Sequence, residues 1–241
     1  MAVTFNATAT AGRQTSVSSQ TFSLAVAAGS DRHLLVAITH SGPFDGRTVS
    51  SVVFNGSESA TFITGSGQTN GNVRVEQWQL DNPTQTTANV VVTMSGVTSV
   101  ITSGAVVFNG ASGVGTPTLA SGTSDGNVGV TVTDAESGEM VIGVVGVDDA
   151  TDPVTLTTVA GTQRWITAAS GSQEAGGATR DAATPTLTWD IAAWDSSAQV
   201  WAASGVSVMA AAGGGTPAFG FSYGQRSIQR GLARGILRTT K

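Results

Sequence analysis

Apolar side chains recur at every second position in five separate segments of this chain. Phe22, Leu24 and Val26 fall on one side of an extended backbone, and the same spacing returns four more times. The other segments are 34–38, 128–132, 187–191 and 200–208. Because successive side chains of a strand point to opposite faces, this period predicts half-buried strands of antiparallel sheets.

Turn-forming pairs separate these apolar segments. Asp-Gly or Asn-Gly occurs at 45–46, 55–56, 70–71, 109–110 and 125–126, and such pairs favour tight hairpins. The 34 Thr, 26 Ser and 31 Gly residues suit strands and turns, whereas good helix formers are scarce. The sequence therefore predicts an all-β fold, a two-sheet antiparallel β-sandwich of jelly-roll type.

One predicted strand changes phase along its length. Val73 and Val75 are followed by Trp78 and Leu80, so these four residues do not share one face of a regular strand. A β-bulge shifts the alternation by one residue. We therefore predict a bulge near residues 76–77.

Charge divides the chain into a body and a tail. All 16 acidic residues lie between Asp31 and Asp195, whereas five of the 11 basic residues follow position 225. The run AAAGGGTP at 210–217 is typical of a flexible joint followed by a turn. We therefore predict a β-sandwich domain over 1–212, a Gly-rich linker over 213–225 and a basic amphipathic docking arm over 226–241.

The arm has a regular repeat in which arginine recurs every fourth residue and an aliphatic residue lies midway between. On a helix this spacing makes two opposite stripes, and on a strand it makes one alternating face, so both conformations stay open. Five positive charges on an acidic body favour a protein partner over specific nucleic acid. The docking residues are Arg226, Ile228, Arg230, Leu232, Arg234, Ile236 and Arg238.

Five stretches in order carry a resemblance to a known module. They are 29–36 (GSDRHLLV), 49–56 (VSSVVFNG), 76–83 (EQWQLDNP), 104–110 (GAVVFNG) and 203–208 (ASGVSV). They resemble the jelly-roll, concanavalin-A-like sandwich of tailed-phage virion proteins and bacterial surface proteins. The resemblance implies a sandwich fold over about residues 1–212 and no fixed catalytic site.

Candidates for chemistry are few. His33 and His40 are the only histidines, and a Ser-His-Asp arrangement could be drawn with any of many Ser and Asp residues, so we expect strand-edge residues rather than a catalytic triad. Glu76 stands alone on its strand, whereas a glycosidase needs paired carboxylates. Trp194 and Asp195 form a possible ligand platform for a sugar.

Cofactors and spanning segments are not expected. The chain has no cysteine, no phosphate-loop or dinucleotide fingerprint, and no apolar run long enough to span a bilayer. The acidic stretch 148–152 has loop carboxylates but not the spacing of a dedicated Ca²⁺ loop. We predict no metal site and no catalytic residues.

These features together favour a non-enzymatic structural protein. The sequence start lacks the pattern of a signal peptide, and a phage virion protein is assembled in the cytoplasm and released by lysis. We therefore expect a homo-oligomeric virion component, more a capsid decoration protein than a tail protein, that contacts other virion proteins through residues 226–241. The alternative is a carbohydrate-binding or adhesion module of a bacterial surface, with a host glycan at Trp194.

Overall fold

The computed structural model describes residues 1–41, 46–148, 154–167, 173–193 and 198–212, and strands dominate this part of the chain. The first half contributes β1 (Thr4–Ala25), β2 (His33–His40), β3 (Val49–Phe54), β4 (Glu58–Ser59), β5 (Thr61–Phe62), β6 (Gln68–Asn70), β7 (Val73–Asp81) and β8 (Thr87–Asn109). The second half contributes β9 (Ala111–Val114), β10 (Thr118–Ser124), β11 (Asn127–Thr131), β12 (Met140–Asp148), β13 (Val154–Ala160), β14 (Thr162–Thr167), β15 (Gln173–Asp181), β16 (Thr186–Ala193) and β17 (Gln199–Ala210). Within these ranges no helix is long and apolar enough to cross a membrane.

The strands form three antiparallel sheets. The first sheet has the order β4-β3-β8-β2-β7-β5, with β1 beside β8 and β6 beside β7. The second has the order β10-β17-β12-β15-β14 with β9 beside β17, and the third has the order β11-β16-β13. The predicted all-β antiparallel sandwich class is confirmed, and the structure distributes its strands over three sheets.

The first sheet folds over on itself near the middle of β8. The register between β1 and β8 jumps from Val17 opposite Thr98 to Ser19 opposite Thr93, which leaves residues 94–97 outside the regular ladder. β3 pairs with β8 before this jump, and β2 pairs with β8 after it. Side chains from both parts of β8 meet in one apolar core, so the two parts of the sheet face each other.

Three apolar cores stack through the molecule. The first core lies inside the folded first sheet, the second core joins the first sheet to the second, and the third core lies between the second and third sheets. Alternate residues of β12 and β17 point to the second and third cores, because the second sheet is covered on both faces. Representative residues are Val52 and Val107 in the first core, Phe108 and Val206 in the second, and Val145 and Trp189 in the third.

The first and second sheets approach closely at Trp165. This buried indole on β14 lies against Gly104 of β8 and Gly177 of β15. A Cβ at either glycine would overlap the ring, so both positions require the smallest residue. One aromatic side chain thus fills the space that two glycines leave between the sheets.

The predicted bulge in β7 is wrong. β7 pairs with β2 along all eight residues of β2 without a register shift. Val73 and Val75 belong to the second core, whereas Trp78 and Leu80 pack against the first core. The change of phase in the sequence therefore reflects a strand with an apolar core on each side.

Candidate functional site

The two sets of predicted site residues lie outside the described part of the chain. They are the docking arm, 226–241, and the ligand platform, Trp194 and Asp195. The described flanks of the platform are Ala193 at the end of β16 and Gln199 at the start of β17. In the acidic stretch 148–152, only Asp148 is described, as the last residue of β12.

The body fixes the point from which the linker and arm depart. The amide of Ala211 donates to the carbonyl of Gly110 at 2.8 Å, and the amino group of Met1 donates to the carbonyl of Ala211 at 3.2 Å. Residue 212 is the last one described. The two ends of the folded body therefore meet at one corner, and we name this the exit corner.

An acidic turn borders the exit corner. The amide of Val3 donates to the carbonyl of Gly138 at 2.9 Å, which places the turn at 134–139 beside the N-terminal strand. Asp134 and Glu136 of this turn are exposed. Since the arm is basic, it departs from a region of opposite charge.

The histidines are buried on a central strand. His33 and His40 are the first and last residues of β2, which lies between β7 and β8, and they are 1% and 0% exposed. The expectation of strand-edge positions is wrong, because β2 has a neighbour on each side. His33 Nδ1 lies 2.8 Å from Asp81 Oδ1, yet burial outweighs this carboxylate and lowers the pKa of His33 below 6.5.

Glu76 forms a polar row with its neighbours on one face of β7. The Nε of Arg74 donates to Glu76 Oε2 at 3.1 Å, and the indole N–H of Trp78 donates to Glu76 Oε1 at 3.3 Å. Arg74 Nη1 also donates to Thr69 Oγ1 at 3.2 Å. Burial raises the pKa of Glu76 above 4.5, and the positive charge of Arg74 offsets only part of that effect.

An aromatic pair extends this row toward solvent. The rings of Phe62 and Trp78 are edge to face, with centroids 5.8 Å apart. Phe62 is 37% exposed, so the pair borders the surface beside the Glu76 carboxylate. An exposed aromatic ring next to polar groups is a surface on which the apolar face of a sugar can pack. Trp189, by contrast, is fully buried in the third core.

The outer edge of β1 is a long sheet edge. Among the described residues, β1 is hydrogen-bonded to a strand on one side only, where β8 lies. At 22 residues, β1 is far longer than β4, β5 and β6, the short strands at the other edges of this sheet. Natural sheets usually protect long edges with proline, charge or a covering segment, because an open edge can pair with another chain.

Little in the sequence of β1 protects this edge. β1 contains no proline, and Arg13 is its only charged residue. No charged residue occurs between Arg13 and Asp31. Three register shifts interrupt its ladder with β8, and bulges of this kind disturb further pairing. The longest stretch without a shift is 19–25, which we name the open edge segment.

The open edge segment has one buried face and one exposed face. Gln20, Phe22 and Leu24 are buried, and Ser19 and Thr21 are exposed, as are Ser23 and Ala25. Phe22 and Leu24 belong to the first core. A strand added at this edge would therefore extend both the core face and the Ser/Thr face of the first sheet.

Sequence reasoning missed this surface. The alternation of Phe22, Leu24 and Val26 predicted the strand but not its place at the edge of a sheet. The available signal was the long uncharged span between Arg13 and Asp31, which is unusual for a surface strand.

No protein-family model, curated protein or solved structure matches this chain. Within the described stretches, no three His, Asp or Glu side chains are grouped as metal ligands. Three features of the described body bear on function: the exit corner, the Glu76 row and the edge of β1.

Proposed function

We propose that this protein is a non-enzymatic structural component of a bacteriophage virion, a capsid decoration protein anchored through its C-terminal arm, residues 226–241. The observation that carries the proposal is the exit corner. Bonds from Met1 and Ala211 tie both ends of the body together, so the linker and arm start from a defined position on a folded sandwich. Such an arrangement suits a protein that attaches by one extended segment and presents its body outward.

The charge distribution supports the same separation into an anchoring arm and an outward-facing body. The arm carries five basic residues and no acid, whereas the body holds all 16 acidic residues. Arginine forms bidentate pairs with carboxylates, and the intervening aliphatic residues fill apolar grooves, so the arm suits a protein surface. The net negative body resists non-specific association once the arm is docked.

The polar groups of the body also support a structural role. Both histidines are buried, and His33 is paired with Asp81. Glu76 is 4% exposed and already accepts hydrogen bonds from Arg74 and Trp78. These side chains are buried between packed strands and do not converge on an accessible reacting position.

The test is to recover the protein from particles. Virions released by lysis of the host that encodes this chain are banded on a density gradient and analysed by mass spectrometry and immunogold labelling. We expect the full chain at fixed stoichiometry in the particle band, with label on the head surface. A chain that ends at Ala212 should remain folded and be lost from the particles. Recovery of the full chain only from the soluble fraction would contradict the proposal.

A second candidate function is carbohydrate binding by a surface adhesion module. The Phe62–Trp78 pair at the surface favours it, because an exposed aromatic ring can stack on the apolar face of a sugar. A glycan array with the full chain tests this alternative. Specific binding that is lost in Phe62→Ala assigns the platform to β7, and loss in Trp194→Ala assigns it to the loop position predicted from the sequence. Absence of any specific glycan removes the alternative.

A further inference from the structure

We propose that the open edge segment, residues 19–25 of β1, pairs antiparallel with the same segment of a second copy of this chain about a two-fold axis at Phe22. The first sheets of two molecules would then form one continuous sheet. This contact goes beyond the proposed function, because it uses β1 and not the C-terminal arm.

The open edge segment is suited to strand addition. Its seven residues pair with Thr87–Thr93 of β8 in one regular register, so its backbone is straight enough to accept another strand. In a strand at a sheet edge, alternate residues direct N–H and C=O groups away from the existing neighbour. A second strand satisfies these groups without any change in the first.

The sequence of the segment is complementary to itself. With the axis at Phe22, Thr21 faces Ser23 of the second copy, and Gln20 faces Leu24 of the second copy. Each exposed residue thus meets an exposed residue, and each buried residue meets a buried one. Since antiparallel partners share a face, the two Ser/Thr faces and the two core faces become continuous.

Charge also favours a second copy at this place. The chain as a whole carries a formal charge of −5, so most pairs of surfaces bring like charges together. The span between Arg13 and Asp31 has no charge, and two copies can meet there without repulsion. The interface is isologous, as in most two-fold dimers.

The C-terminal arm is a less suitable occupant of this edge. In an extended arm, Arg230 and Leu232 share one face with the other arginines and aliphatic residues. Pairing at 19–25 would place this face either against the core, which buries arginine, or in solvent, which exposes the aliphatic residues. The segment 19–25 of a second copy has no such conflict, because its polar and apolar residues are on opposite faces.

Matched charge variants of the full chain test the pairing and its register. Thr21→Lys with Ser23→Lys places like charges opposite each other twice across the axis, on the exposed face. Thr21→Lys with Ser23→Glu places opposite charges there instead. The control is Thr155→Lys with Thr157→Lys on β13, an exposed pair on an edge strand of the third sheet. Masses are measured by light scattering after size exclusion, and circular dichroism confirms that each variant is folded.

The expected result is a mass twice 24.1 kDa for the wild type, the β13 control and the Lys/Glu variant, and a monomer for the Lys/Lys variant of β1. A chain that ends at Ala212 should also be a dimer. The proposal is overturned if the wild type is a monomer, if the Lys/Lys variant still dimerises, or if removal of the arm abolishes the dimer. A monomeric Lys/Glu variant overturns the register. Because the dimer does not need the arm, this result is independent of whether the arm attaches to particles.

Discussion

β1 and β8 are neighbouring strands of almost equal length, 22 and 23 residues, and they differ in nearly every other respect. β8 is hydrogen-bonded on both sides, to β1 on one side and to β2 and β3 on the other, and its residues 100–108 are all buried. Among the described strands β1 has only β8 as a neighbour, and apart from the buried Gln20, Phe22 and Leu24 its residues are partly buried or exposed. Packing therefore constrains every residue of the central strand over 100–108, whereas pairing alone constrains much of the outer strand.

The ladder between the two strands offers matched pairs of residues for testing this difference. Phe5 faces Phe108, and Thr10 faces Gly104. The two residues of each pair lie opposite each other in the ladder. A difference between their losses of unfolding free energy on substitution therefore reflects the surroundings of β1 and β8.

The largest expected effect is at the phenylalanine pair. Phe108→Ala should lower the free energy of unfolding by about 3–5 kcal/mol, because it leaves a cavity in the second core. Phe5 is 37% exposed and stacks with the Arg164 guanidinium at 3.7 Å, so Phe5→Ala should cost about 1 kcal/mol or less. Denaturant unfolding curves give both values. Equal costs for the two variants would show that β1 is buried as fully as β8.

A smaller effect is expected at the second pair. Gly104→Ala should destabilise the protein by about 1–3 kcal/mol, because the added Cβ overlaps the indole of Trp165. Thr10→Ala removes a hydrogen bond from its hydroxyl to the carbonyl of Ser103 and should cost about 1 kcal/mol. The same unfolding curves measure both changes. An unchanged free energy of unfolding in Gly104→Ala would contradict the close contact between Gly104 and Trp165.

A pH dependence of the free energy of unfolding is expected from His33. This residue is on β2, which pairs with β8 on the side opposite β1. Because burial lowers the pKa of His33, the unfolded chain binds a proton below pH 6.5 that the native protein resists. The free energy of unfolding should keep its full value above pH 6.5. It should fall as the pH drops through 6.5 toward the lowered pKa of His33. His33→Gln should flatten this part of the curve when denaturant midpoints are compared from about pH 8 to about pH 5. An unchanged slope in the variant would assign the effect to other groups.

The smallest expected effect on stability comes from Glu76. This residue is on β7, which is separated from β8 by β2. Its pKa is raised, so the native protein holds a proton that the unfolded chain releases above 4.5. This contribution to stability should decline as the pH rises from 4.5 through the raised pKa. Glu76→Gln should therefore gain stability relative to the wild type between acid and neutral pH. The exposed Glu136→Gln is the matched control, and an identical pH profile for both variants would contradict the buried position of Glu76.

The strands were the most predictable part of the fold. Alternation at 187–191 marks β16, since a half-buried strand has apolar residues at every second position. Alternation at 34–38 marks β2 as well, but the half-buried strand predicted there is wrong, because all eight residues of β2 are buried. β7 misled the same reasoning, because it has apolar residues on both faces, Val73 and Val75 on one and Trp78 and Leu80 on the other. A local pattern does not show how many cores a strand touches.

Long-range features could not be read from the sequence. The fit of Trp165 against Gly104 and Gly177 joins residues of three strands, and no local pattern connects them. The register jump at residues 94–97, which folds the first sheet, depends on the pairing of β1, β2 and β3 with a single strand. For the same reason the sequence identified 19–25 as a strand without identifying its open edge.

Hydrogen–deuterium exchange tests most directly whether β1 is completed by a second copy. The wild type is compared with the Thr21→Lys, Ser23→Lys variant at equal concentration. We expect slow exchange of 100–108 in both proteins. The outward amides of 19–25 should exchange slowly in the wild type alone, because the inward amides pair with β8 in both proteins and only the dimer pairs the outward ones. Equal exchange at 19–25 in both proteins would contradict the pairing and would leave β1 as an edge strand of a single molecule.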